Sequence, residues 1–184
     1  TINNLIILPN RLINQWEFEI NKYAKSTNNL SMIKIGSLTD IKKYEKAIKK
    51  DKDFISKLDI VLLSDGLLTA SSYQKYLDDK KNSKIPSTNY LDIFTNKYNR
   101  IIIDEIHEKL YSFQPYGCTS NLLHDKSKHK KFDKKSNQLT SVIFDLECNF
   151  KWCLSATPFE YGPFNLMGLM QYLMGKEQRL KYQI

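Results

Sequence analysis

The sequence lacks any long hydrophobic run. No apolar stretch approaches the roughly 18 to 20 residues that a helix needs to cross a bilayer. The first residues, Thr1 to Asn4, lack the basic and apolar regions of a secretory signal. The sequence therefore predicts a soluble, intracellular chain with no membrane partner. Because it also has no initiator methionine, we expect it to be a piece of a longer protein.

Cysteine, glycine and proline are scarce, with 3, 6 and 5 residues among 184. So few glycines and prolines exclude collagen-like and Pro/Gly-rich low-complexity chains, and the composition fits one globular domain. The cysteines (Cys118, Cys148, Cys153) form no paired disulfide framework. Together with His124 and His129 they lack the paired spacings of zinc sites, so no zinc is expected.

Basic residues outnumber acidic ones, 28 against 20, which gives a net charge of +8. Nearly all of the positive charge is lysine, since arginine occurs only as Arg11, Arg100 and Arg179. A polyanion such as nucleic acid is a favoured partner, because neutralised phosphates release counterions. A solubilising surface is the alternative, since abundant Lys, Asn and Ile are typical of AT-rich genomes such as those of large DNA viruses. Charge alone leaves both interpretations open.

Short apolar runs alternate with segments of helical periodicity. The runs occur at 5–8, 32–35, 60–63, 101–103 and 152–154, and most of them do not alternate with polar residues, which suits strands covered on both faces. Helical spacing marks the segment from Ile13 to Ile20 and the segment that begins at Thr39 and Asp40. This alternation predicts an α/β fold with an open, mostly parallel sheet and flanking helices. In such folds ligands bind at the carboxyl ends of the strands.

One segment breaks the alternation. Residues 114–137 are rich in lysine and too polar to bury, so they predict an exposed insertion loop within the domain. Residues 139–150 then return to helix-like spacing through Val142, Ile143, Leu146 and Phe150.

Two strand ends contain residues suited to chemistry. After the run 101–103, Asp104 could hold a hydrated Mg²⁺ and Glu105 could orient a water against a γ-phosphate, as in a Walker B motif. The alternative is that these acids only cap the following helix. After the run 152–154, the hydroxyls of Ser155 and Thr157 could bind the neighbouring acidic loop. An ordinary turn is the alternative there.

Together, in this order, these motifs resemble those of the superfamily 2 helicases, and within them the Swi/Snf-type DNA-dependent ATPases. Asp-Glu-Ile-His at 104–107 is similar to the DEAH-type motif II, and Ser-Ala-Thr-Pro at 155–158 is similar to motif III. The strand and proline at 5–9, followed by Gln15 and Trp16, resemble motif Ia. Residues 64–66 stand where the family has motif Ib, with a looser match. The resemblance covers nearly the whole chain.

The resemblance implies a RecA-like lobe of the P-loop NTPase type, from a motor that couples ATP hydrolysis to movement on DNA. It implies that Asp104 binds Mg²⁺ through water and that Glu105 activates the attacking water. It implies that His107, with Ser155 and Thr157, links the nucleotide state to the grip on nucleic acid. The residues that it places along the phosphates of one strand are Pro9, Asn10, Arg11, Ser64, Asp65 and Gly66.

The phosphate-binding loop of the family, Gly-x-x-x-x-Gly-Lys-Ser/Thr, occurs nowhere in the sequence. In the family this loop lies upstream of motif Ia, and a second RecA-like lobe completes the ATP cleft. We therefore expect residues 1–184 to be a partial first lobe that is inactive alone. In the intact protein we expect ATP and Mg²⁺ as cofactors, and DNA and the second lobe as partners.

Two other functions remain open. A degenerate RecA-like lobe would serve as a binding or scaffolding module, and the intact protein would then lack the phosphate-binding loop and the basic motifs of a second lobe. A nuclease that uses Asp104, Glu105 and His107 directly on a metal would cleave nucleic acid without ATP.

Overall fold

A sheet of five strands organises the part of the chain that the computed structural model describes. This part comprises residues 3–24, 30–51, 53–73, 75, 93, 96–107, 143, 146–158, 169–170 and 172–174. The chain divides into two compact units, residues 1–104 with 146–152 and residues 105–145 with 153–184. The first unit contains nearly the whole sheet.

The elements follow one another in the expected strand-helix alternation. The strands are β1 (Asn4–Leu8), β2 (Met32–Ile35), β3 (Ile60–Ser64), β4 (Tyr98–Ile103) and β5 (Cys148–Cys153). The helices are α1 (Ile13–Ala24), α2 (Leu38–Lys50) and the short α3 (Asp65–Thr69), with 3-10 turns at Asn10–Leu12 and Ile55–Lys57. The strands are parallel and lie in the order β2-β3-β1-β4-β5. The α/β fold with an open parallel sheet is thus confirmed.

The register of the central strands aligns their carboxyl ends. Leu8 of β1 lies opposite Ser64 of β3, and Ile7 of β1 lies opposite Ile103 of β4. Parallel strands that end at the same level deliver the residues that follow them to one edge of the sheet. The turns after β1, β3 and β4 therefore meet at this edge.

The central strands are apolar because both of their faces are covered. On one face, Ile6, Leu8 and Leu62 form a buried cluster with Ile13 of α1, and Trp16 and Ile20 of the same helix pack against it. On the other face, the strand residues Leu5, Ile7, Val61, Leu63, Ile101 and Ile103 are also buried. Doubly covered strands require continuous apolar runs, so β1, β3 and the apolar end of β4 lie where such runs occur in the sequence.

The amino ends of three strands are fastened by polar side chains. The Asp59 carboxylate before β3 accepts hydrogen bonds from the Ser31 hydroxyl at 2.7 Å and the Ser31 backbone N–H at 2.9 Å, just before β2. Asn3, before β1, donates its side-chain amide to the carbonyl of Ile55 at 3.0 Å. These bonds hold the end of the sheet opposite to the aligned carboxyl ends.

Helix α2 begins slightly earlier than the expected start at Thr39 and Asp40. The Ser37 side chain accepts a hydrogen bond from the Asp40 backbone N–H at 3.3 Å, and the Asp40 carboxylate accepts one from the Ser37 hydroxyl at 2.7 Å. This reciprocal cap makes Ser37 the residue before the first helical turn, which starts at Leu38.

The last strand differs from the prediction. β5 spans Cys148–Cys153 instead of residues 152–154, and Leu154 lies beyond it. The helix predicted from the spacing of residues 139–150 is therefore wrong at its end, because residues 148–150 form the first half of β5. Phe150 and Trp152 are exposed by 55% and 51%, so this strand does not show the continuous apolar pattern of β1 and β3.

The expected insertion loop at 114–137 lies outside the described residues. Within the part of the chain that is described, no helix combines the length and the apolar character needed to cross a bilayer.

Asp59 gives the first test. Hydrogen bonds from the Ser31 hydroxyl and backbone N–H hold the pKa of its carboxyl below the ordinary value. A lowered folded-state pKa stabilises the fold above the unfolded pKa of about 4, and this stabilisation is lost as the pH falls through the folded value. Asp59→Asn should therefore cost about 1 kcal/mol of unfolding free energy at pH 7, and less as the pH falls below about 4.

Urea unfolding between pH 7 and pH 3 measures this difference, with the exposed Asp53→Asn as the control. A cost of Asp59→Asn that stays the same across this range would contradict the assignment.

Candidate functional site

The turns after β1 and β3 are neighbours at the carboxyl edge of the sheet. A methyl group placed on Gly66 would lie 3.5 Å from the Cβ of Asn10. Asn10, Arg11 and Gly66 are exposed, whereas Pro9, Ser64 and Asp65 are buried. The six residues predicted to lie along nucleic-acid phosphates thus fall into an exposed set and a buried set.

The buried residues form the turns that hold the exposed ones. The Pro9 carbonyl accepts a hydrogen bond from the Leu12 backbone N–H at 2.8 Å, which closes the 3-10 turn. The Asp65 carboxylate accepts one from the backbone N–H of Gly66. Direct contact with a large ligand is therefore possible mainly at Asn10, Arg11 and Gly66.

Asp104 is fixed through its backbone and its side chain. Its backbone N–H donates to the Ile7 carbonyl at 2.9 Å, so the pairing of β4 with β1 continues to this residue. Its carboxylate Oδ2 accepts a hydrogen bond at 2.9 Å from Nε1 of Trp16 on α1. The carboxylate thus has a defined direction at the end of β4.

The sequence motifs predicted no role for Trp16, although it belongs to the Gln-Trp element that resembles motif Ia. A signal was present, since the indole N–H of a half-buried tryptophan needs a hydrogen-bond acceptor. The acceptor is 88 residues away in the sequence. Only the pairing of β1 with β4 brings it to α1.

Glu105 has a left-handed backbone conformation, with φ of 51°. This conformation costs an L-residue with a Cβ roughly 1–2 kcal/mol. Its side chain is only 26% exposed, and its Oε2 lies 3.4 Å from Nδ1 of His107. Strain of this kind tends to occur at functional sites, where the surroundings impose it.

His107 connects the acidic loop to the turn after β5. Its Nδ1 lies 2.7 Å from the Ser155 hydroxyl, and its Nε2 lies 3.5 Å from the Thr157 hydroxyl. The backbone N–H of Thr157 donates to the same Ser155 hydroxyl at 3.1 Å. With Glu105 also near Nδ1, the imidazole contacts the acid and both hydroxyls. The acidic loop thus contacts the Ser155–Thr157 turn through His107.

This network is held by buried backbone contacts. Ile106, between Glu105 and His107, is almost fully buried, and its backbone N–H donates to the Leu154 carbonyl at 3.1 Å. His107 itself is buried. The segment that follows Glu105 is therefore held in place by burial and by a backbone hydrogen bond.

The two cysteines among the described residues belong to no metal-binding cluster of that part of the chain. Burial raises the pKa of the Cys148 thiol above its ordinary value, which disfavours the thiolate that binds metals. No group of three or more His, Cys, Asp or Glu side chains arranged for a metal occurs in the described part of the chain. Cys118, His124 and His129 lie outside that part, so the absence of zinc stays a prediction.

The chain is similar to known proteins in sequence and in fold. No protein-family model matches the chain. The chain is 25% identical over 170 residues to the DNA repair protein RAD5A of Arabidopsis thaliana. This match covers 92% of the chain and 12% of RAD5A. Its fold is similar to the Sulfolobus solfataricus SWI2/SNF2 ATPase core in complex with dsDNA. That likeness has a TM-score of 0.52 and 15% identity, and covers 95% of this chain and 25% of the other.

The resemblance to the Swi/Snf-type ATPases is confirmed. The sequence match to RAD5A and the likeness to the Swi/Snf-type core each extend over nearly the whole chain, as expected from the motifs. The chain spans only 12% of the length of the curated relative. Neither match supports an origin in a large DNA virus.

The left-handed conformation of Glu105 gives a second test. Asparagine tolerates this conformation well, whereas β-branched valine does not. Glu105→Val should therefore be less stable than Glu105→Asn by about 1–2 kcal/mol. Both variants lose the same contact with His107, so each controls for the other. Urea unfolding of the 184-residue chain measures the difference, and equal stabilities would show that the backbone at 105 is not constrained.

Proposed function

We propose that the chain is part of the first RecA-like lobe of a motor that couples ATP hydrolysis to movement on DNA. The observation that supports this most is the His107 network, in which one imidazole contacts Glu105, Ser155 and Thr157. A motor needs such a connection between the acid that acts on the nucleotide and a second loop. The similarity to a SWI2/SNF2 ATPase core bound to dsDNA, and to a DNA repair protein, supports ATP and DNA as the ligands.

Asp104 is suited to a magnesium-nucleotide complex. Mg²⁺ prefers oxygen ligands and is commonly bound through one or two carboxylates, waters and the substrate phosphates. A single directed carboxylate at a strand end fits this donor set, and no larger cluster of protein ligands is needed. When bound, the ion would neutralise the charge that develops on the transferred phosphoryl group. Asp104 would hold it through a water molecule.

Glu105 would act on the attacking water. Its carboxylate follows directly after Asp104 and contacts Nδ1 of His107, so its orientation is restricted before the water binds. A positioned carboxylate can orient the water and accept its proton. His107, Ser155 and Thr157 would then report the state of this acid to the turn after β5.

The exposed residues after β1 and β3 would contact DNA. Arg11 supplies a guanidinium that matches phosphate geometry, and Asn10 supplies a side-chain amide donor beside it. Gly66, exposed at the adjoining turn, has no side chain to keep the DNA backbone at a distance. Such contacts go to the phosphates and so do not depend on base sequence. The net charge of +8 favours the same partner.

Other parts of the protein would complete the motor. The sequence contains no Gly-x-x-x-x-Gly-Lys-Ser/Thr loop, so another segment would have to surround the β- and γ-phosphates. A second RecA-like lobe would close the ATP cleft. Because its substrate would be DNA, the protein would act inside the cell.

The catalytic role of Glu105 can be tested in the intact protein. Glu105→Gln keeps the size of the side chain but removes the proton acceptor, so DNA-stimulated ATP turnover should fall at least about 100-fold. Nucleotide binding should be retained. Glu147→Gln, at an exposed position, is the matched control and should keep full turnover. Turnover within threefold of wild type in Glu105→Gln would exclude this role.

The isolated chain of 184 residues should not hydrolyse ATP measurably. Without backbone amides and a lysine on the β- and γ-phosphates, the nucleotide is neither held nor activated. Release of phosphate from ATP, with and without DNA, is the measurement. Turnover that is abolished by Glu105→Gln in this chain would show that the lobe needs no further segment.

A further inference from the structure

The hydrogen bond between Trp16 and Asp104 joins a helix to the candidate magnesium ligand. Indole Nε1 can only donate, and here it donates to Oδ2 of a carboxylate at 2.9 Å. A hydrogen bond to an ionised acceptor is roughly twice as strong as one between neutral groups. This contact links residues of the same compact unit, and it is separate from the His107 network.

Trp16 is itself held in place. It lies on α1, packs against the buried cluster of Ile6, Leu8, Ile13 and Leu62, and is half-buried. The Asp104 backbone is fixed to β1 through Ile7. Both ends of the hydrogen bond therefore belong to rigid elements, and the carboxylate is oriented before any ligand arrives.

We propose that Trp16 is a positioning residue for Asp104, which orients the carboxylate toward the hydrated metal ion of the nucleotide complex. This inference rests on the proposed function, since it needs Asp104 to hold the metal. Groups that orient metal ligands typically contribute 10–100-fold to metal affinity. Because α1 begins directly after the exposed turn at Asn10–Leu12, the same helix also joins the candidate DNA contact to the metal site.

The test is the affinity of the intact protein for Mn²⁺ in the presence of ADP, measured from free Mn²⁺ by electron paramagnetic resonance. Trp16→Phe keeps an aromatic ring on α1 but removes the N–H, so it should weaken Mn²⁺ binding about 10-fold. ATP turnover of the same variant should need more Mg²⁺ for half-maximal rate, with a rate at saturating Mg²⁺ within threefold of wild type. A purely structural role would not move the metal dependence alone.

Trp152→Phe is the matched control. Trp152 is half-exposed on β5, and Cζ of the Arg100 guanidinium lies over its ring, 5.7 Å from the ring centroid. The same substitution at this position should leave Mn²⁺ affinity unchanged. Should Trp16→Phe fail to fold, Trp16→Met removes the same donor and fills the space with a flexible chain, and the same criterion applies to it.

Asp104→Asn separates the possible failures. If Asp104→Asn weakens Mn²⁺ binding but the Trp16 variant binds within twofold of wild type, the positioning role is overturned and the proposed function stands. If neither substitution changes Mn²⁺ binding, Asp104 does not hold the metal, and the proposed metal site is overturned together with the role of Trp16.

Discussion

The parallel pairing of β1 with β3 and β4 determines where the candidate residues of the first unit lie. Because the strands run in the same direction and end in register, the turns that contain Asn10, Gly66 and Asp104 meet at one edge. Burial of alternate side chains on both faces holds this register. A slip by one residue would exchange the two faces of a strand, moving Ile6 and Leu8 away from α1.

The strands with two covered faces could be predicted from the sequence, since β1, β3 and the apolar end of β4 coincide with the runs at 5–8, 60–63 and 101–103. The run at 32–35 also coincides with a strand, β2, although β2 is only partly buried at the other end of the strand order. β5 is last in the strand order of the described residues, and its sequence mixes exposed Phe150 and Trp152 with polar residues. Because β5 is not fully covered, it needs no continuous apolar run. The spacing of its amino-terminal half is therefore also typical of a helix.

The site could be predicted only as far as topology determines it. Acids and hydroxyls at the ends of neighbouring parallel strands must come close, and this is why His107 and Ser155 meet across 48 residues of sequence. The direction of each side chain could not be predicted in this way. The hydrogen bond of Trp16 to Asp104 depends on how α1 packs on the sheet, and the left-handed backbone of Glu105 depends on contacts made by its neighbours.

The strain at Glu105 and the His107 network are two aspects of one arrangement. A left-handed residue with a side chain persists only when its surroundings hold it there. Here Ile106 is buried and bonded to Leu154, and His107 is buried against Ser155, so the residues after Glu105 cannot relax separately. A ligand that pulls on the Glu105 carboxylate therefore acts against this anchored segment. Because His107 contacts both the Glu105 carboxylate and the Ser155 hydroxyl, the strained acid and the hydroxyl turn are linked through one buried side chain.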